Sequence, residues 1–253
     1  YFGFFIQDDW KVTPKLTLNM GLRWEVDTPR WEKSNRQSGF DLNATNPVSG
    51  LPGVVTFSGL DGRDRYAHDF DLNNFGPRFG FAYRATNSFV IRGGYGINYN
   101  GAYARAVPFT MFNGFAVTGS FSSPDGGQFT KAFQFSDGMP AIQREELTPA
   151  FGAVEFGQRP RLAPDYIQAN QMNGYAQQWN LTLQKQAMGD VLFEAAYVAN
   201  VAHKLGGQNV NINMIPLVDG RGPARQSQQL RPFPHFNNVF LETPPWGNST
   251  YHS

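Results

Sequence analysis

The 253-residue sequence predicts an all-β chain laid out as an antiparallel meander. Three observations lead there. Residues 16–26 alternate without a slip, with Leu16, Leu18, Met20, Leu22, Trp24 and Val26 set against Thr17, Asn19, Gly21, Arg23 and Glu25; a helix of ~3.6 residues per turn cannot hold that pattern on one face. Tight turns and long connections rich in Gly and Pro alternate along the chain, so a meander collects the turns at one end and the long loops at the other. No apolar run approaches the ~20 residues of a membrane helix, yet the alternating runs reach the ~9–11 residues with which a tilted strand crosses a bilayer, beyond the ~5–6 usual in soluble sheets. The predicted fold is a partial transmembrane β-barrel with short periplasmic turns and long extracellular loops.

The elements follow in order. Residues 1–12 are the least regular strand, because Phe2, Phe4, Ile6, Trp10 and Val12 share a face with Asp8. That carboxylate belongs near a membrane surface unless a bulge shifts the phase. Thr13-Pro14-Lys15 turns the chain into strand 16–26, and a polar loop over 28–74 follows. In 75–85, Phe75, Pro77, Phe79, Phe81 and Tyr83 oppose Gly76, Arg78, Gly80, Ala82 and Arg84. After Thr86-Asn87-Ser88, residues 89–99 set Phe89, Ile91, Tyr95, Ile97 and Tyr99 against Arg92, Gly94, Gly96 and Asn98, with Val90 softening one end. A second loop covers 101–172. Strand 175–185 sets Trp179, Leu181 and Leu183 against Gln178, Asn180, Thr182 and Gln184. Met188-Gly189-Asp190 then turns into strand 191–201, where Val191, Phe193, Ala195, Tyr197 and Ala199 oppose Glu194, Ala196, Val198 and Asn200. A third loop over 202–247 leads to a further strand opening at Gly247. Six strands and a stub leave two open sheet edges, which lipid does not tolerate. The expectation is therefore that residues 1–253 form part of a barrel domain whose other strands lie in a longer parent.

Composition narrows the function classes. Charged residues are 16%, aromatics 15% and the net charge +1, which argues against a nucleic-acid partner and against a basic membrane-surface patch. With no cysteine, disulfide scaffolds and thiolate metal sites are excluded. The four histidines (His68, His203, His235 and His252) have no metal spacing and sit in no nucleophile motif, so the chain reads as a non-enzyme with no cofactor and no metal.

The run Phe5-Ile6-Gln7-Asp8-Asp9-Trp10-Lys11-Val12-Thr13-Pro14-Lys15-Leu16-Thr17-Leu18-Asn19-Met20-Gly21-Leu22-Arg23-Trp24-Glu25 resembles a barrel strand pair of the TonB-dependent outer-membrane receptors. Asn74-Phe75-Gly76-Pro77-Arg78-Phe79-Gly80-Phe81-Ala82-Tyr83-Arg84, with Val90-Ile91-Arg92-Gly93-Gly94-Tyr95-Gly96-Ile97-Asn98-Tyr99, is similar to the following hairpin. The nearest likeness is to the subgroup with an N-terminal carboxypeptidase-regulatory-like domain. The resemblance implies a 22-stranded barrel in the bacterial outer membrane, an N-terminal plug, and energy from the TonB complex through a missing N-terminus. It implies outer-membrane lipid, the plug and an unidentified solute as partners, and transport of a scarce bulky solute such as a siderophore or oligosaccharide as the function.

The polar phase carries Arg23, Glu25, Arg78, Arg84, Arg92, Asn98, Gln178, Asn180 and Glu194, the candidates for facing the lumen and gripping a plug. Trp10, Trp24, Tyr83, Tyr95, Tyr99, Trp179 and Tyr197 fall on or near the apolar phase and read as an aromatic girdle. The second loop carries Phe109, Phe112, Phe115, Phe121, Phe129, Phe133 and Phe135, more aromatic surface than a solvated loop leaves exposed. Packing against other loops or the plug is one reading and ligand capture at the mouth the other. The alternative functions are a non-transporting adhesion or structural barrel, a passive porin, and an outer-membrane enzyme.

Overall fold

The computed structural model describes residues 1–101, 112–116, 119–170, 172–189, 191–217 and 227–253. Its strands are β1 (Phe2–Thr13), β2 (Leu16–Val26), β3 (Ser38–Thr45), β4 (Pro52–Phe57), β5 (Asn74–Thr86), β6 (Phe89–Asn100), β7 (Asp165–Tyr166), β8 (Gly174–Gln186), β9 (Leu192–Leu205), β10 (Val210–Asn211), β11 (Phe240–Leu241) and β12 (Gly247–His252). Among the described residues the helical elements are two three-residue 3-10 turns, Phe135–Asp137 and Gln228–Leu230.

Seven strands form one sheet in the order β1-β2-β5-β6-β8-β9-β12, each antiparallel to its neighbours. The sheet is open and does not close on itself. Its turns are fixed by local chemistry. The Thr13 hydroxyl accepts from the Lys15 N–H at 3.1 Å, and Thr86 accepts from the Ser88 N–H at 3.3 Å. The third turn passes through Gly189 at φ 74°, where a Cβ is disfavoured; Asp190 lies outside the described residues.

Register keeps the two phases apart across the sheet. Trp24 faces Phe75 and Met20 faces Phe79; Phe79 faces Tyr95, Tyr95 faces Trp179 and Trp179 faces Ala199. At the long-loop end the apolar face closes on an aromatic row, Phe4, Trp24, Phe75, Tyr99, Tyr175 and His203. Within it Phe4 stacks on Trp24 at 6.0 Å and Tyr175 lies 5.9 Å from Tyr99 and 5.3 Å from His203. From Tyr99 to Phe89, where Lys185 and Phe193 complete the last row, the strand rises ~33 Å. Tilted by ~40°, that is the ~25 Å height of an outer-membrane apolar band.

This changes the girdle expectation. Trp24 and Tyr99 stand in the aromatic row, but Trp10, Tyr95, Trp179 and Tyr197 lie in interior rows. Interior polar atoms find partners there: the Tyr95 hydroxyl donates to Gln177 at 2.8 Å, and Tyr197 bonds His252 at 2.6 Å. A bulge does occur in β1, between Lys11 and Thr13. It falls beyond Asp8, which remains on the apolar face opposite Met20, in a middle row rather than at a border.

The long connections, polar loops in the sequence, carry short strands of their own. The first holds the β3–β4 hairpin. The second and third meet in a small sheet ordered β10-β11-β7, in which β11 runs parallel to β7. The buried hydrophobic cluster lies here and not on the large sheet: Phe40, Val55 and Phe57 from the first connection meet Phe233, Phe236 and Val239 from the third, with Phe115, Leu147 and Phe151 of the second packed against them.

Candidate functional site

The three long connections thus form a cap at one end of the sheet, and polar side chains lock it. Asn213 is fully buried. Its amide donates to the carbonyls of Phe233 at 2.9 Å and Phe236 at 3.3 Å and to that of Asn237, while its carbonyl accepts from the Phe233 N–H at 2.7 Å. Asn46 ties the β3–β4 turn by donating to Gly53 O at 3.0 Å and accepting from the Val48 N–H at 3.0 Å. His235 joins the third connection to that hairpin. Its Nε2–H donates to Gly53 O at 3.0 Å, so its Nδ1 accepts from the Ser49 hydroxyl at 3.2 Å. Burial pushes the His235 imidazole below its usual range, in keeping with that neutral tautomer.

Beside this core lies an open cleft of about 500 Å³, lined by β3, the end of β4, residues 63–70 and the segment after Asp165. That volume is within the ~300–1,000 Å³ of small-molecule sites. Phe40, Phe57, Tyr66, Phe70 and Tyr166 supply rings, and Arg63 and Asp41 supply an ion pair at 2.9 Å on its rim. Burial raises the Asp41 carboxyl, but the N–H groups of Asn43 and Ala44 and the Arg63 guanidinium outweigh it and hold the group below the usual carboxylate range. His68 lines the same cleft, donates from Nδ1 to Asp69 O at 2.8 Å, and is lowered by burial. This arrangement can hold a ligand by ring contact and planar hydrogen bonds.

The second-loop phenylalanines divide. Phe115 packs edge-on to Phe57 at 5.8 Å, inside the shared core. Phe121, Phe133 and Phe135 form a chain of edge contacts at 5.6 and 5.2 Å. Phe112 is half-buried. Phe129 and Phe135 stand 92% and 86% exposed, and Phe109 lies outside the described residues. The cleft rings Tyr66, Phe70 and Tyr166 escaped sequence reading, because aromatics scattered through polar turns carry no period.

On the large sheet, register places all nine polar-phase candidates on one face. Several are brought together: Arg23 bonds Glu25 and, at 2.7 Å, the Tyr1 hydroxyl. Arg78 donates to Asn98 at 2.9 Å, Arg84 donates to Pro14 O at 3.2 Å, and Glu194 accepts from Gln184 at 2.6 Å. Asn180 stands opposite Gly94, Gln178 opposite Gly96, and Arg92 between Ala82 and Thr182. Gly21, Gly80, Gly94 and Gly96 make a low strip among these side chains, where another backbone can approach closely.

Among known proteins, searches of curated proteins and of solved structures return no match. The sequence model of one family, the outer membrane beta barrel domain, matches residues 1–253. Long two-faced antiparallel strands, short turns at one end and a loop cap at the other agree with that match: the chain belongs to the outer membrane β-barrel domain family and resides in the bacterial outer membrane.

Proposed function

We propose that this chain forms part of the wall and outer mouth of a TonB-dependent transporter that takes up a scarce bulky solute. The observation that carries the reading is the loop cap, in which three connections share one core beside a cleft of ligand size. Loops that merely solvate a barrel rim have no cause to order themselves so, since fixing each backbone residue costs ~1–2 kcal/mol. The residue likeness to TonB-dependent receptors over 5–25, 74–84 and 90–99 supports the same reading. In it the apolar face meets lipid, the polar face and its glycine strip meet an N-terminal plug, and the remaining strands of a 22-stranded barrel come from the rest of the protein. The role is transport without catalysis.

The test compares uptake of an iron chelate, cobalamin, an oligosaccharide and a peptide in cells carrying the full-length protein, cells lacking it, and cells with an inactive TonB. Uptake of one solute lost in both deficient strains supports the proposal, and Arg63→Ala should then raise the concentration needed for half-maximal uptake. Uptake that persists without TonB selects a passive porin. Unchanged uptake of all four with loss of surface attachment selects an adhesion barrel.

A further inference from the structure

On the polar face, between β1, β2 and β5, lies a notch of about 230 Å³. Register builds it. Gly21 stands between Gln7 and Arg78, and two residues along β2, on the same face, Arg23 stands opposite Phe5. The floor is open because Gly21 has no side chain. A Cβ there would lie 3.4 Å from Ile6 O and 3.8 Å from the Gln7 Cβ, which is ordinary contact, so packing does not require the glycine; inside a strand it weakens the sheet and marks a place where something else comes close. Both guanidinium groups line the notch. Arg78 commits one N–H, to Asn98 at 2.9 Å, and Arg23 commits two, to Glu25 and, at 2.7 Å, to the Tyr1 hydroxyl. Most N–H donors of each group are therefore unused among the described residues. Lys11, Arg84 and Arg92 add positive charge to the same face, against Asp9, Glu25 and Glu194. Beside the arginines, Phe5 is 72% exposed, an apolar ring set among polar side chains.

We propose that this notch binds an organic carboxylate of the transported solute. The carboxylate takes N–H donors from Arg23 and Arg78, and the flat apolar body that carries it lies on Phe5. Guanidinium groups match a carboxylate with parallel charge-assisted hydrogen bonds, the Phe5 ring offers an apolar body a surface to cover, and the excess of positive charge on the face draws anions toward it. A volume below the ~300–1,000 Å³ of whole-ligand sites suits one acidic ring of a bulky solute. The inference rests on the reading of the polar face as the wet interior of the barrel.

The test follows phenylglyoxal modification of Arg23, Arg78 and Arg92 in the full-length protein in liposomes, mapped by mass spectrometry, with benzoate, acetate or the uncharged benzamide added. Benzoate should slow modification of Arg23 and Arg78 severalfold and leave unchanged Arg92, which stands between Ala82 and Thr182. Acetate should need a severalfold higher concentration, and benzamide should have no effect. Phe5→Ser should bring benzoate down to the level of acetate, and Gly21→Val should leave both arginines reactive but unprotected. Benzamide or acetate as effective as benzoate overturns the proposal, and so does equal protection of Arg92, which is screening by salt. It is also overturned if Arg23 and Arg78 react equally with and without benzoate, or are unreactive beside a reactive Arg92, results that leave the wet interior standing. If Arg92 is unreactive as well, the interior reading falls and the site with it.

Discussion

Single residues hold the cap in place. Gly53 has φ 110°, and a Cβ there would meet the Phe233 ring at 2.6 Å, so both backbone and packing require glycine. Gly53→Ala should destabilise the cap by roughly 2–4 kcal/mol, combining left-handed strain with overpacking. Limited proteolysis of the third connection reads this as faster cleavage, and an unchanged rate contradicts it. Protonation adds a second lever. Burial and the neighbouring Asp165 push Glu242 up to about 7, and its Oε2 accepts from Asn209 at 2.6 Å. Because its folded value lies above the unfolded 4.5, the stability it contributes is full below that value and is lost as pH rises through about 7. His68 and His235, depressed by burial, run the other way: their contribution is present above ~6.5 and falls as pH drops toward their folded values. Glu242→Gln should therefore gain on the wild type between pH 5 and 8 by on the order of 2 kcal/mol, read as hydrogen-exchange protection of the 240 and 242 amides. Equal protection in both proteins at every pH would contradict it. None of these residues was legible in the sequence. A buried Asn213 or Glu242 in a polar stretch looks like any solvated side chain until its partners are known.

Elements were legible in proportion to their length. β2 spans the predicted 16–26, and the other long strands agree to within a few residues, because eleven or more alternating residues leave one phase in which the large rings share a face, with Phe5 of β1, opposite Arg23, as an exception. β7, β10 and β11 have two residues each. They are set by tertiary contacts, with no period to read. The position of Asp8 tests the element-scale account. In the middle of the apolar face beside Met20, its carboxylate should cost stability in lipid, so Asp8→Leu in the full-length protein should stabilise the barrel by about 1–2 kcal/mol. Reversible unfolding in liposomes measures this, and a loss of stability would mean that Asp8 meets a polar partner from another strand.

The whole molecule divides its burial unevenly. The cap has a core, while the large sheet is a single layer, with β1 and β12 at its edges and no helix among the described residues to cover either face. Apolar stripes without a second layer belong in lipid. Expressed alone, the chain should aggregate or require detergent, as sedimentation would show, and a monodisperse detergent-free monomer would contradict the account. The two-faced wall could be read from the sequence because lipid and water impose opposite demands on alternate residues. The cap could not, because its core draws six residues from separate connections.

The most direct test of the central claim is a pair of arginine substitutions at adjacent positions of β2, measured by reversible unfolding of the full-length protein in liposomes. Leu18→Arg, on the apolar face, should cost roughly 2–4 kcal/mol, and Thr17→Arg, on the polar face, ~1 kcal/mol or less. Equal costs at the two positions would contradict a wall with lipid on one side and water on the other.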